Sequence, residues 1–291
     1  MSTDRKLVKA LASQNPEARC KIPIRYKEIY GKDLKAVMKS ECGSRDFGTA
    51  LQFLAVPPDE AECDMIEKAC RGLGTNELIL YPVICGRSNR EISHLKTKFF
   101  DLHSKDLGRV LDSELGGNFE RLIVNCLQGS EETYDREYHN EAKMHSDIEK
   151  LYKMGQGKFL GTDEVGLFKI LCASPPEYLK KLNYVYADKH GYTLEKVLET
   201  ELGGQVRDAA VFMLGMKMKP YETVAELIVK ATKGFGTNEL LLTCTLIRYQ
   251  LILRDVMAAY TELKGESLQD LIKKETSGDY ERLLVELCNS A

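Results

Sequence analysis

Four glutamates recur in one local setting, and they carry the chemistry most open to interpretation. They stand in Ser40-Glu41-Cys42-Gly43-Ser44, Ser113-Glu114-Leu115-Gly116-Gly117, Thr200-Glu201-Leu202-Gly203-Gly204 and Lys274-Glu275-Thr276-Ser277-Gly278. The intervals between them are 73, 87 and 74 residues. A second motif precedes the last three: Gly72-Leu73-Gly74-Thr75-Asn76-Glu77, Leu160-Gly161-Thr162-Asp163-Glu164 and Gly234-Phe235-Gly236-Thr237-Asn238-Glu239. The last glycine of each motif lies 40, 40 and 39 residues before its acid. Two unlike motifs holding one separation three times mark an internal repeat.

Each acid is expected at the end of a helix. A carboxylate there faces the partial negative charge of the helix terminus, at a cost of a few tenths to ~1 kcal/mol. Its recurrence asks for a cation. A Lys or Arg in a surface ion pair is one source, and a bound metal is another. The glycine loop offers the complementary half of a metal site, because small residues at alternate positions let carbonyl oxygens turn toward one point. Three carbonyls and a bidentate carboxylate make five hard oxygens on flexible backbone. That set suits calcium, which takes six to eight oxygens, and does not suit zinc, which takes nitrogen and sulfur. The shell is incomplete, leaving places for water or a lipid phosphate. The Asn76-Glu77, Asp163-Glu164 and Asn238-Glu239 pairs have a plainer role, as caps of the helices that follow.

These motifs need helices to position them. The second unit reads as helices over 60–71, 76–87, 89–103, 105–115 and 118–128, with apolar residues at helical spacing and glycine or Ser-Asn punctuation between. The units run over 1–56, 57–129, 148–218 and 219–291. The polar stretch 130–147 serves as a linker between two pairs. The fold class is therefore all-α, an array of four repeats of about five helices. The first repeat lacks its first helix and glycine loop, since Thr3-Asp4-Arg5-Lys6-Leu7 lines up with the start of a second helix. Pro23 and Pro82 fall where helices are expected, and an interior proline costs ~3 kcal/mol.

Composition narrows the function. With 41 basic and 44 acidic residues the net charge is −3, which argues against nucleic-acid binding by bulk charge. No stretch approaches the ~18 apolar residues of a membrane span, and the N-terminus carries no signal-peptide pattern. Nine scattered cysteines without a C-x-x-C read as buried free thiols of a reducing cytosol. The five histidines follow no ligand spacing, and most are expected on the surface or at helix ends. No H-E-x-x-H, G-x-S-x-G, Walker or EF-hand run is present, so the chain is not expected to be an enzyme.

The paired G-x-G-T loop and distant acid, in units of about 70 residues with a longer middle linker, resemble the annexins across nearly the whole chain. The resemblance implies a curved disc binding acidic phospholipid through calcium on its convex face. It implies that the carbonyls of Cys70, Gly72 and Gly74 join Glu114, and that those of Thr232, Gly234 and Gly236 join Glu275. In the fourth repeat the spacing is one residue short, and Tyr249-Gln250 replaces the usual Arg-Ser. In the third, Phe159 and Gly161 match best with Glu201, in a loop one residue longer than the family's, with Gly155 or Gln156 supplying the remaining carbonyl. Glu41 has no loop to pair with. Arg71 and Leu73, Lys158, Phe159 and Leu160, and Lys233 and Phe235 would meet the membrane. The expected place is cytoplasmic, peripheral on the inner membrane face. The clipped first repeat also resembles the giardins, and leaves open a second reading. In that reading the chain is a cytoskeleton-associated or self-associating structural protein with weak calcium dependence.

Overall fold

One short sequence grammar builds the same corner in every repeat. The third helix ends on a residue in the left-handed region: Gly31, Ser104, Gly191 or Gly265, with φ between 52° and 81°. Two residues later Asp33, Asp106, Thr193 or Ser267 caps the fourth helix, each side-chain oxygen accepting a backbone N–H three residues on. A buried leucine follows at once: Leu34, Leu107, Leu194 or Leu268. The corner therefore aims the fourth helix, whose far end carries the recurring glutamate.

The computed structural model describes residues 3–72, 74–155, 163–234 and 236–291, and its described residues form helices without strands. The first repeat holds α1 (Thr3–Leu11), α2 (Pro16–Arg19), α3 (Lys21–Tyr30), α4 (Leu34–Cys42) and α5 (Asp46–Leu54). The second holds α6 (Pro58–Cys70), α7 (Glu77–Ile84), α8 (Asn89–His103), α9 (Leu107–Glu114) and α10 (Gly117–Leu127). The third holds α11 (Glu141–Met154), α12 (Glu164–Ala173), α13 (Pro176–His190), α14 (Leu194–Glu201) and α15 (Gly204–Met218). The fourth holds α16 (Pro220–Ala231), α17 (Glu239–Arg248), a 3-10 turn at Gln250–Ile252, α18 (Leu253–Lys264), α19 (Leu268–Glu275) and α20 (Gly278–Asn289). Among the described residues, the first repeat holds no counterpart of α6, α11 and α16. Its α2 is an extra single turn.

Both prolines are accommodated. Pro23 sits in the first turn of α3, where its missing N–H has no intrahelical partner to lose. Pro82 lies near the end of α7, which stops at Ile84, short of the expected 87.

The polar linker is shorter than its composition suggests. Asn140 accepts the N–H of Lys143 and starts α11 at Glu141, so residues 141–147 are helical. The polar residues there include its solvent face, with Met144 and Ile148 turned inward. The pairing of repeats also differs from their order in sequence. One compact unit comprises Met1–Ala69 with Tyr221–Ala291, and the other Cys70–Pro220. The polar connector lies inside the second unit.

Within the first unit, Arg19 is 3% exposed and spends its guanidinium on the carbonyls of Leu11 and Gln14 and the side-chain oxygen of Gln250. Burial lowers its pKa to about 10. Gln250 is thus the acceptor for a buried arginine of the first repeat. Arg248 pairs with Glu62 in the same unit.

All nine cysteines are free thiols, five of them buried. Burial pushes the thiols of Cys244 and Cys288 up to about 12, as inert core residues require. No helix among the described residues is long and apolar enough to cross a membrane.

Candidate metal centre

The recurring acids end their helices. Glu114, Glu201 and Glu275 are the last residues of α9, α14 and α19, and Glu41 is the last but one of α4. Among the described residues, no Lys or Arg lies within ion-pairing distance of Glu41, Glu114 or Glu275. Lys274, next to Glu275, pairs with Glu266 instead. The ion-pair explanation for a helix-end carboxylate therefore fails at these three positions, and the electrostatic cost falls to some other cation or to solvent.

The glycine loops of the second and fourth repeats have one backbone. Gly72 and Gly234 have φ of 120° and 112°, and Gly74 and Gly236 have φ of 83° and 88°. These values favour glycine, yet a Cβ on any of the four would meet nothing within 4 Å. The glycines are thus required by backbone conformation and not by crowding, which leaves the loop concavity open. Among the described residues, no backbone N–H donates to the carbonyls of Cys70, Gly72, Gly74, Thr232, Gly234 or Gly236.

A threonine joins each loop to its acid. Thr75 Oγ1 donates to the carbonyl of Glu114 at 3.3 Å. Thr237 Oγ1 stands 3.4 Å from the carbonyl of Glu275 and donates to its carboxylate Oε2 at 2.6 Å. Cys70, which ends α6, is close enough to Glu114 that the carboxylate, together with burial as the larger cause, pushes its thiol up to about 11. So loop and acid, 40 residues apart in the second repeat and 39 in the fourth, meet. The threonine link was missed at the sequence level. Its signal was present, since Thr75, Thr162 and Thr237 hold one offset from the glycines.

The third repeat is built to the same plan with a longer loop. The N–H of Asp163 closes on the carbonyl of Met154 at 2.9 Å, as that of Asn238 closes on Ala231 at 2.7 Å. Measured between these closures, the third loop is two residues longer than the fourth. A Cβ on Gly155 would stand 3.7 Å from Glu201 Cγ, so the start of this loop lies against its acid. Lys158, Phe159, Leu160 and Gly161 lie outside the described residues, as do Leu73 and Phe235. Arg71 and Lys233 are exposed.

The capping role holds unevenly. Asp163 and Asn238 accept the backbone N–H groups of Gly166 and Leu241. Asn76 makes no side-chain cap, its backbone carbonyl alone accepting at the start of α7. In the first repeat, Asp4 of α1 and Glu41 both lie near Cys42, whose thiol is raised by burial and then by these two carboxylates. Glu41 therefore shares its surroundings with another acid. Among the described residues no three His, Cys, Asp or Glu side chains cluster as metal ligands. The donor set here is of another kind, backbone oxygens with one carboxylate.

These features define a helical repeat protein whose inter-helix loops pair hard backbone oxygens with a helix-end carboxylate. The Annexin family profile matches residues 61–126 and 223–287. Annexin A13 of Mus musculus is 32% identical over 99% of this chain and 90% of its own length. The chain belongs to the annexin family. Among solved structures, annexin III superposes with a TM-score of 0.90 at 27% identity, covering 99% of this chain and 88% of the other. A calcium-bound annexin (Sm)1 does so at 0.81 and 25% identity, covering 99% and 85%.

Proposed function

We propose that this annexin binds acidic phospholipid surfaces through calcium held between its glycine loops and helix-end glutamates. The observation that carries the reading is the twice-built loop–acid pair. Positive-φ glycines of one conformation are tied through threonine to a glutamate without a basic partner. The carbonyls of Cys70, Gly72 and Gly74 with Glu114, and of Thr232, Gly234 and Gly236 with Glu275, would hold the ion. The donor chemistry fits a hard cation with loose angular demands. Glu201 with Phe159 and Gly161 would form a third site. The calcium-bound state of annexin (Sm)1 supports the same ion here.

Bound calcium supplies positive charge between a chain of net charge −3 and an anionic surface. The protein's own part is to hold five oxygens in place and leave the outer positions to headgroup phosphate. Arg71 and Lys233 sit on the exposed loops beside them. Several weak sites on one chain multiply through effective concentration, by ~10²–10⁴ where geometry permits. The role is that of a binding protein, peripheral on the inner membrane face. Sedimentation with phosphatidylserine vesicles tests it. Calcium should pellet the protein and chelator should release it, and equal pelleting in both would sink the reading.

A second reading rests on the first repeat. Its α3 buries none of its residues, and Ile24, Ile29 and Tyr30 are more than half exposed. That is surface a protein partner or second copy would cover. A dimer by light scattering in chelator would support it, and a monomer there would count against self-association.

A further inference from the structure

The polar connector between the second and third repeats lies apart in sequence from the glycine loops and their acids, and its own side chains fix its fold. His139 is 4% exposed. Its Nε2 lies 3.0 Å from Glu132 Oε2, and its Nδ1 lies 3.1 Å from the backbone N–H of Asp135. The Tyr134 ring stacks on the imidazole at 5.4 Å and 23°, while Tyr178 packs against it at 4.7 Å. A buried, fully bonded histidine thus pins a loop whose composition alone suggested a passive tether.

The pinned connector forms one wall of a cleft of about 830 Å³, with the start of α11 and the outer face of α13 as the others. Arg136, Lys180 and Lys181 stand around it. Among the described residues, none of these three cations has a carboxylate within ion-pairing distance. Lys181 Nζ is already oriented, since it accompanies the Tyr134 hydroxyl at 2.8 Å and lies 5.2 Å from that ring's centroid. Glu141 is the one carboxylate among the described lining residues. Tyr184, 75% exposed, adds an aromatic face, and Met144 an apolar one.

Three unpaired cations on one cleft concentrate positive potential in a chain of net negative charge, and an anion relieves it. The planar fork of Arg136 suits phosphate oxygens, and the lysines add mobile point charges. Exposed aromatic faces take a planar ring by stacking, a geometry that does not depend on which ring it is. The cleft volume falls within the range of small-molecule sites.

We propose that this cleft is a binding site for a phosphorylated small molecule carrying a planar ring, of nucleoside-phosphate size. The cations engage the phosphates and Tyr184 the ring. The site needs no calcium.

Calorimetric titration of the full chain with ATP, in chelator, tests this. One saturable site is expected, with inorganic tripolyphosphate binding at least tenfold more weakly and adenosine weaker still. Arg136→Ala with Lys180→Ala should weaken ATP at least tenfold, and Tyr184→Ala should erase most of the preference for ATP over tripolyphosphate. All these residues are exposed, so the melting temperature should hold, and calcium-dependent vesicle pelleting should be unchanged. Absence of saturable ATP binding overturns the proposal, as does ATP binding that survives the double substitution. Tripolyphosphate binding as tightly as ATP overturns the assignment of a ring-bearing ligand.

Discussion

The first repeat and the other three share a corner, a fourth helix and its terminal glutamate, and among the described residues they differ by one helix with its loop. Two consequences follow from that single difference. Glu41 has no glycine loop beside it, and Asp4 lies in its neighbourhood instead. The third helix also loses a packing partner. In the third repeat, α11 packs against α13, which buries Tyr178, Leu179, Leu182 and Tyr186. In the second and fourth repeats, α8 buries Ile92, Leu95 and Phe99, and α18 buries Leu253, Val256 and Tyr260. The equivalent α3 buries nothing. The helix–loop segment thus covers an apolar face of the third helix in the third repeat, and in the second and fourth it carries the loop that meets the helix-end acid.

Substitutions break this comparison in graded steps. Phe99→Ala should cost ~3–5 kcal/mol, read by denaturant unfolding, as for a buried aromatic. Ile29→Ala, on the uncovered α3, should stay within ~0.5 kcal/mol. Equal costs would show that α3 is packed after all. Next in size, Glu114→Gln with Glu275→Gln should raise the calcium midpoint for vesicle pelleting about a hundredfold, or ~2.8 kcal/mol.

The second and fourth loops then divide through their threonines. Thr237 holds the Glu275 carboxylate, whereas Thr75 bonds only the Glu114 backbone carbonyl. A hydrogen bond to a charged group contributes ~1.5–3 kcal/mol, less where solvent reaches it. Thr237→Val should therefore weaken calcium binding about three- to tenfold, and Thr75→Val about twofold or less, measured by titration of each variant. Tighter binding by Thr237→Val would mean that the hydroxyl competes with the ion. Smallest of all, Glu41→Gln should leave pelleting unchanged, since no loop faces that acid.

Much of this was legible in the sequence, because helical periodicity and glycine punctuation are local signals. The repeat spacing located every helix-end acid, and the missing first helix was visible by alignment of the chain with itself. What escaped depended on tertiary placement. Polarity made residues 130–147 read as a linker, but one buried histidine and one Asn140 cap fold them, and neither leaves a periodic trace. Where the third loop begins shows only in its closure from Asp163 to Met154, a contact between residues that no local pattern marks. Asn76 has the composition of a cap without the bond. Gln250 looked like a departure from the family pattern, and its reason, the buried Arg19, lies at the other end of the chain. The threonine link was hidden in plain view, absorbed into a motif already explained as a helix start.

Calcium titration by calorimetry, in the presence of phosphatidylserine vesicles, tests the central claim most directly when wild type is set against Glu114→Gln with Glu275→Gln. Wild type should take up at least two calcium ions per chain, and the double variant should lose two of them while its melting temperature holds. The same stoichiometry and affinity in both proteins would contradict the assignment of the loop–acid pairs as the calcium sites.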